Sequence, residues 1–333
     1  MLVSGDWPST VFHVTHWKAG SQWIKHILQE CCPDLIVRPA PKQVQYLGEG
    51  LKAGKVYPTV YLTKGQFESI SRPPGSCHFV VIRDLRDTLV SAYFSILYSH
   101  WGHDPELLQW RQTLQKLSPE EGFARLLEEW LYGCEEIQRS WLEAGEQLFR
   151  YEDLLERDLD ILEPVLIDRC RLPVSRERFR EVILGARFDR RTEGRKRGEE
   201  DLLAHERKGV AGDWRNYFTP GLARLFRDRF GETLVATGYE PDDGWVGRVT
   251  QSVVRAPAHC RGCEQRAQTI TSLQGVCDER LVVIEEQARE IAMLREVCAE
   301  RLALIEQQAQ EAARLREVCA ERTAKAERFR ATA

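Results

Sequence analysis

Val11-Phe12-His13-Val14-Thr15-His16-Trp17-Lys18-Ala19-Gly20-Ser21-Gln22-Trp23 decides the fold. Its first five residues are rich in β-branched and aromatic side chains and read as a buried strand. A short loop follows, and from about Ser21 to Cys31 the pattern turns helical. A strand–loop–helix unit places backbone N–H groups and a helix N-terminus where an anion can sit. Lys18 supplies a mobile charge, Gly20 allows close backbone approach, and Ser21 and Gln22 can donate hydrogen bonds. The Gly-x-x-x-x-Gly-Lys-Ser/Thr pattern of a Walker A loop does not occur. On this stretch alone, a plain strand-to-helix turn is the competing reading.

Moving outward, the same alternation recurs. Val56-Tyr57-Pro58-Thr59-Val60-Tyr61-Leu62 and His78-Phe79-Val80-Val81-Ile82 read as strands, and Leu148-Phe149-Arg150-Tyr151 is a fourth short candidate. Strands alternating with helices predict an α/β fold with a central parallel sheet and helices on both faces, over residues 1–245.

Two further stretches carry clustered cations. In Ile82-Arg83-Asp84-Leu85-Arg86-Asp87-Thr88-Leu89-Val90-Ser91, Arg83 stands at a strand end. Ser91 follows eight positions later, about two helical turns on. A guanidinium fork and a helix hydroxyl so spaced can grip one phosphate from two sides. An ordinary salt-bridged helix start over Arg83–Asp87 is the alternative. Arg207-Lys208-Gly209-Val210-Ala211-Gly212-Asp213-Trp214-Arg215-Asn216 holds three cations and two glycines in ten residues, as an anion-wrapping loop or a basic surface turn would.

These cations sit in a chain of net charge −4, with 43% hydrophobic and 29% charged residues. That balance argues against a general nucleic-acid or membrane-surface binder, so any anion site is local. No apolar run approaches the roughly 18 residues that span a bilayer, and the N-terminus has neither basic flank nor apolar signal core. A cytoplasmic location is expected, with the ten cysteines mostly reduced thiols. Cys260 and Cys263 form a CxxC beside His259, but a second ligand pair at zinc-site spacing is missing.

The C-terminal part differs in kind. Residues 275–295 and 296–316 are near-copies, and Cys277, Cys298 and Cys319 recur every 21 residues, or three heptads. Apolar positions step by 3 and 4, the coiled-coil period. The expectation is a linker over 246–272 and a long helix over 273–333 that self-associates, with a solvated single helix as the alternative.

Taken together, the three cationic stretches resemble the cytosolic-type sulfotransferases, which use 3′-phosphoadenosine 5′-phosphosulfate (PAPS). Lys18-Ala19-Gly20-Ser21-Gln22-Trp23 resembles the family's KSGTTW loop. Arg83 and Ser91 match its 3′-phosphate pair in identity and spacing. The 207–216 run matches RKGxxGDWKN, with Arg215 for Lys. The resemblance covers roughly residues 10–240, and Gly194–Asp201 is similar to bacterial members.

The resemblance implies that Lys18, Ala19, Gly20, Ser21 and Gln22 form the 5′-phosphosulfate loop. It implies that Arg83, Ser91, Arg207, Lys208 and Gly209 hold the 3′-phosphate. Trp23 and Phe188 would sandwich adenine, with Tyr151 at its edge; core burial explains a lone Phe equally well. The reaction implied is in-line sulfuryl transfer, without a metal, to a hydroxyl or amine of a small-molecule or glycan acceptor. A degenerate nucleotide-binding domain on a coiled-coil scaffold is the runner-up. Segments 34–60 and 98–125 are expected to line the acceptor pocket.

A general base should take the acceptor proton. Many cytosolic relatives carry His in a Lys-Thr-His run at the end of the second strand. Here the matching place reads Leu62-Thr63-Lys64-Gly65, so Lys64 stands where His is expected. Lysine ordinarily titrates at about 10.4 and would need burial or neighbouring cations to serve. His100 ranks slightly ahead, because imidazole titrates near neutrality. Glu68 and His103 follow, and His13 is expected to face the core.

Overall fold

The computed structural model describes residues 9–38, 50–99, 104–250 and 261–331. They form two compact units, split between His259 and Cys260.

The first unit is built on four parallel strands, β1 (Val11–Thr15), β2 (Val56–Val60), β3 (Cys77–Ile82) and β4 (Leu148–Arg150), in the order β2-β1-β3-β4. Val11 pairs with Val56 on one side and Cys77 on the other, and Val81 pairs with Phe149. Among the described residues, ten α-helices interleave with them: α1 (Ser21–Cys31), α2 (Lys64–Glu68), α3 (Leu85–Phe94), α4 (Pro105–Leu114), α5 (Pro119–Glu129), α6 (Tyr132–Glu143), α7 (Tyr151–Glu163), α8 (Arg176–Gly185), α9 (Phe188–Arg191) and α10 (Pro220–Ala236). The chain runs from β1 outward to β2 and returns to β3 on the other side of β1. The carboxyl end of β1 is therefore a topological switch point, where open α/β sheets bind ligands.

Both sheet faces are covered, which is why β1 and β2 are buried along their whole length rather than at alternate residues. Successive residues of β1 feed opposite faces. Val11 joins Ile24, Leu28, Phe79, Val81, Leu154 and Phe179, while Phe12 and Val14 join Tyr57, Val80, Ile82, Phe67 and Trp141. A third core, with Leu89, Tyr93, Phe123, Phe218 and Phe226, anchors α3, α5 and α10. Each such large side chain, fully buried, contributes about 1.5–3 kcal/mol. His13, on the Val11 face of β1, is fully buried and stacks on Phe79, as expected. It bonds the Pro58 carbonyl at 2.6 Å, and burial lowers its pKa to about 4.

Most of the described cysteines are free thiols, with one pair as the exception. Cys77 at the start of β3 and Cys170 after α7 are joined by a disulfide, while Cys31, Cys32, Cys134, Cys277, Cys298 and Cys319 are free. The CxxC at Cys260 lies partly outside the described residues. No cluster of three or more metal-ligating side chains occurs among those described.

The second unit is one helix, α11 (Arg261–Ala331), so helical structure begins inside the stretch read as linker. Leu281, Ile284, Ile291, Leu294, Leu302 and Ile305 of its heptad stripe are all exposed. No helix among the described residues is long and apolar enough to cross a membrane.

Candidate nucleotide and transfer site

The loop after β1 is held in an uncommon shape. Lys18 adopts a left-handed φ of 67°, and Gly20 does so at 78° as the residue before α1. A Cβ on Gly20 would sit 2.6 Å from the Tyr151 ring, so glycine is required for conformation and for space. No side chain caps α1 and no acidic residue lies in its first turn. The first amides of the helix are therefore available to an anion. Ala19 is fully buried beneath the loop and does not line the cavity.

Arg83, at the end of β3, pins this loop. Its Nη1 donates to the Lys18 carbonyl at 2.9 Å, and its guanidinium lies 4.8 Å from the Tyr151 ring centre. Its buried Nε finds no hydrogen-bond partner among the described residues, nor does Trp23 Nε1. A buried, partnerless guanidinium donor is the kind of group a phosphate oxygen satisfies. Ser91, on α3, lines the same cavity.

His16 ties the two loops together from below and was not foreseen from sequence. Its Nδ1 donates to the Trp17 carbonyl at 2.9 Å. Its Nε2 accepts from the Arg83 N–H at 3.2 Å and from the Gln138 amide at 2.7 Å, and that amide also donates to the Arg83 carbonyl. Burial, with the Arg83 charge adding to it, lowers the His16 pKa to about 4. The ring is therefore neutral, as one donating and one accepting nitrogen require.

The alternative reading of Arg83–Asp87 is half realised, with a different arginine. Arg86 is buried between Trp214 and Trp245, at 3.9 and 4.7 Å, and pairs with Asp84 and Glu240 at 2.7 Å each. Arg83 is left for the cavity. Asp87 accepts from the backbone N–H of Gly212 at 2.6 Å and of Trp214 at 2.9 Å, docking the distant glycine-rich run onto α3.

Within that run, Asp213 pairs with both Arg207 and Lys208, the latter at 2.7 Å. Burial opposes its charge, but these two cations hold the Asp213 carboxyl below its usual range. A Cβ on Gly209 would collide with the Phe188 ring, whose close approach explains the glycine at φ 63°. Phe188 thereby lines the cavity, as do Trp23 and Tyr151, which meet edge to face with ring centres 6.2 Å apart.

One cavity thus gathers Lys18, Gly20, Ser21, Gln22, Trp23, Arg83, Ser91, Tyr151, Phe188, Arg207, Lys208 and Gly209. Arg191, Arg197 and His205 line it too and were not singled out from the sequence. Desolvation, reinforced by Arg83 and Arg207, lowers the Lys18 pKa to about 8. The cavity is therefore poised for an added anion.

The base candidates fare differently. Lys64 does not line the cavity. It opens α2 after the N-cap Thr63, and its ammonium pairs with Glu146 at 2.5 Å and Glu68 at 3.3 Å. Although desolvation works the other way, these carboxylates raise its pKa, the opposite of what a base at this place needs. Glu68 is engaged in the same pair. His100 and His103 lie outside the described residues. The residue from the end of β2 that does face the cavity is Tyr61, beside Trp17 (ring centres 4.8 Å apart), with its hydroxyl donating to Ser21 Oγ at 2.9 Å.

Comparison with known proteins adds the following. Residues 78–238 match the family model described as sulfotransferase domain. That stretch contains Arg83, Ser91, Tyr151, Phe188 and Arg207–Gly209, and ends short of the Lys18 loop on the N-terminal side. Mouse sulfotransferase SULT7A1, solved in complex with PAP, aligns with a TM-score of 0.49 at 17% identity, over 72% of this chain and 88% of that one. A retinol dehydratase in complex with retinol and PAP aligns with a TM-score of 0.43 at 16% identity, over 76% and 84%. No curated protein matches the sequence.

Proposed function

We propose, from the premise that this chain carries a sulfotransferase domain, that its cavity binds PAPS and passes the sulfuryl group in line to a hydroxyl or amine of a small-molecule or carbohydrate acceptor. The domain implies a PAPS-dependent transferase. One observation carries the finer reading. Cations from three stretches far apart in sequence line a single cavity, in a chain of net negative charge.

Roles follow from position. Arg83, with its free Nε, and Ser91 take the 3′-phosphate from one side, and Arg207, Lys208 and the Gly209 backbone from the other. Trp23 and Phe188 supply flat apolar faces for adenine, and Tyr151 its edge. Ser21, Gln22 and the first amides of α1 hold the 5′-phosphosulfate. Lys18 neutralises the charge that builds on the bridging oxygen as the phosphate leaves. Holding donor and acceptor in line supplies much of the remaining acceleration.

The second unit is proposed to join copies of the chain, within the cytoplasm. Its exposed 3–4 stripe supports this. So does its charge pattern: in a parallel, in-register pair, Arg280 and Arg301 fall opposite Glu285 and Glu306 of the second copy.

Purified protein should transfer label from radiolabelled PAPS to at least one member of a panel of phenols and glycans. Binding of PAP with no transfer to any acceptor would support the degenerate-domain reading. Absence of PAP binding would overturn the assignment of the cavity.

A further inference from the structure

The proposed transfer leaves one proton unaccounted for, since an acceptor hydroxyl must lose it as its oxygen bonds to sulfur. Among the described residues, six side chains with acid–base chemistry line the cavity: Lys18, Tyr61, Tyr151, His205, Glu206 and Lys208, the last paired with Asp213 at 2.7 Å. Lys18 is required as a cation. Tyr151 lies against Gly20 and under the Arg83 guanidinium. Glu206 is paired with Arg191 at 2.6 Å, and His205 precedes it in sequence, beside the Arg207–Gly209 loop proposed for the 3′-phosphate rather than beside Lys18. Tyr61 remains, and the sheet order isolates it. It follows β2, on the opposite side of β1 from Arg83 and Tyr151, so it flanks the Lys18 loop away from the nucleotide-binding arginine. Its neighbour Trp17 is 43% exposed, an uncommitted aromatic surface beside the transfer point.

Resting on the PAPS-transferase reading, we propose that Tyr61 takes the acceptor proton in a relay, passing its own proton to Ser21 Oγ, which passes one to the departing 5′-phosphate. In that step the acceptor O–S bond forms and the S–O bond to the phosphate breaks. Each hydroxyl in the chain gains one proton and loses one, so Tyr61 and Ser21 end neutral. The 2.9 Å bond from Tyr61 to Ser21 already supplies the middle link. Burial raises the Tyr61 pKa, against a smaller opposing effect of Ser21, which suits a phenol that relays a proton without ionising. Trp17 fixes the ring from the side, and no separate titrating base is needed.

Tyr61→Phe keeps the ring and its packing on Trp17 while removing the hydroxyl. Affinity for PAP, measured by calorimetry, should stay within about twofold, and kcat should fall by about 10²–10⁴-fold, the range for loss of proton transfer. Ser21→Ala should also lower kcat, and Ser21→Thr, which keeps the hydroxyl, should recover most of it. Without nucleotide, the ultraviolet difference titration between wild type and Tyr61→Phe should place ionisation of this phenol above about pH 10. Unchanged kcat in Tyr61→Phe would overturn the relay while leaving PAPS transfer standing. Phenol ionisation near pH 8 would also overturn it, by making Tyr61 a simple base. Failure of the wild type to bind PAP or to transfer sulfate would instead overturn the reading beneath it.

Discussion

The two sides of the cavity are built on different plans. On the side assigned to the nucleotide, the arginines and lysine of the phosphate clamp are held by something else: Arg83 by the Lys18 carbonyl, Arg207 and Lys208 by Asp213, and that whole loop by Asp87. Glycines stand where rings must approach, Gly20 under Tyr151 and Gly209 against Phe188. On the side assigned to the acceptor, the described cavity offers the Trp17 and Tyr61 side chains, packed on each other, with the Tyr61 hydroxyl bonded to Ser21. The first plan suits a ligand of fixed charge and shape, because electrostatic stabilisation works best from groups that need not reorganise. The second leaves the acceptor to be chosen by a few surfaces that can change without disturbing the clamp.

Mutations should separate the two sides. On the side assigned to the nucleotide, Lys18→Ala should have the largest effect, lowering kcat by about 10²–10³-fold, as loss of one preorganised charge-stabilising group does, while PAP still binds. Equal turnover would remove Lys18 from the chemistry. Next, Gly209→Ala should weaken PAP binding by more than about tenfold, because Phe188 must move from the cavity wall to admit a methyl group. Calorimetry on the variant would reveal it, and full affinity would show that Phe188 is not part of the adenine site.

Asp87→Asn acts one layer further out. Asparagine turns an N–H toward one of the two backbone N–H groups that Asp87 now satisfies, so stability should fall by about 1–3 kcal/mol. A lowered melting temperature with a weakened 3′-phosphate preference would fit. A lowered melting temperature with that preference intact would uncouple the loop from α3.

The pH dependence is smaller, and its sign is set by Lys18. In the free protein its pKa is lowered to about 8, and a bound anion would raise it again. Above pH 8 the protein must therefore take up a proton to bind PAP, and affinity should fall by up to about tenfold per pH unit toward pH 10. Below pH 8 Lys18 contributes no slope. Titrations at pH 7, 8 and 9 would test this. Deleting residues after 255 should change activity least, lowering the sedimenting mass without altering kcat.

How far sequence reaches follows the same division. The parallel sheet, the start and end of α1, and the cation clusters were legible because local pattern carries them: apolar runs, helical periodicity and glycine at tight places. What keeps Lys64 from lining the cavity is a contact 82 residues away in sequence, with Glu146, and the N-cap Thr63 that turns the chain into α2. Tyr61, three residues earlier, is where β2 releases the chain toward the cavity, and nothing local distinguishes it from a strand-end aromatic. Likewise, only the packed structure separates Arg83, left for the cavity, from Arg86, enclosed by Trp214 and Trp245. His16 reads locally as the residue after a strand, and its role depends on Gln138 from α6.

The central claim is that the cavity recognises a 3′-phosphate between Arg83 with Ser91 and the 207–209 loop. Measuring affinity for PAP and for 5′-AMP, which lacks that phosphate, in wild type and in Arg83→Ala tests it most directly. Hydrogen bonds to charged groups contribute about 1.5–3 kcal/mol each, so wild type should prefer PAP by at least about 100-fold. Arg83→Ala should lose most of that preference while changing 5′-AMP binding little. Equal affinity of the wild type for PAP and 5′-AMP would contradict the account.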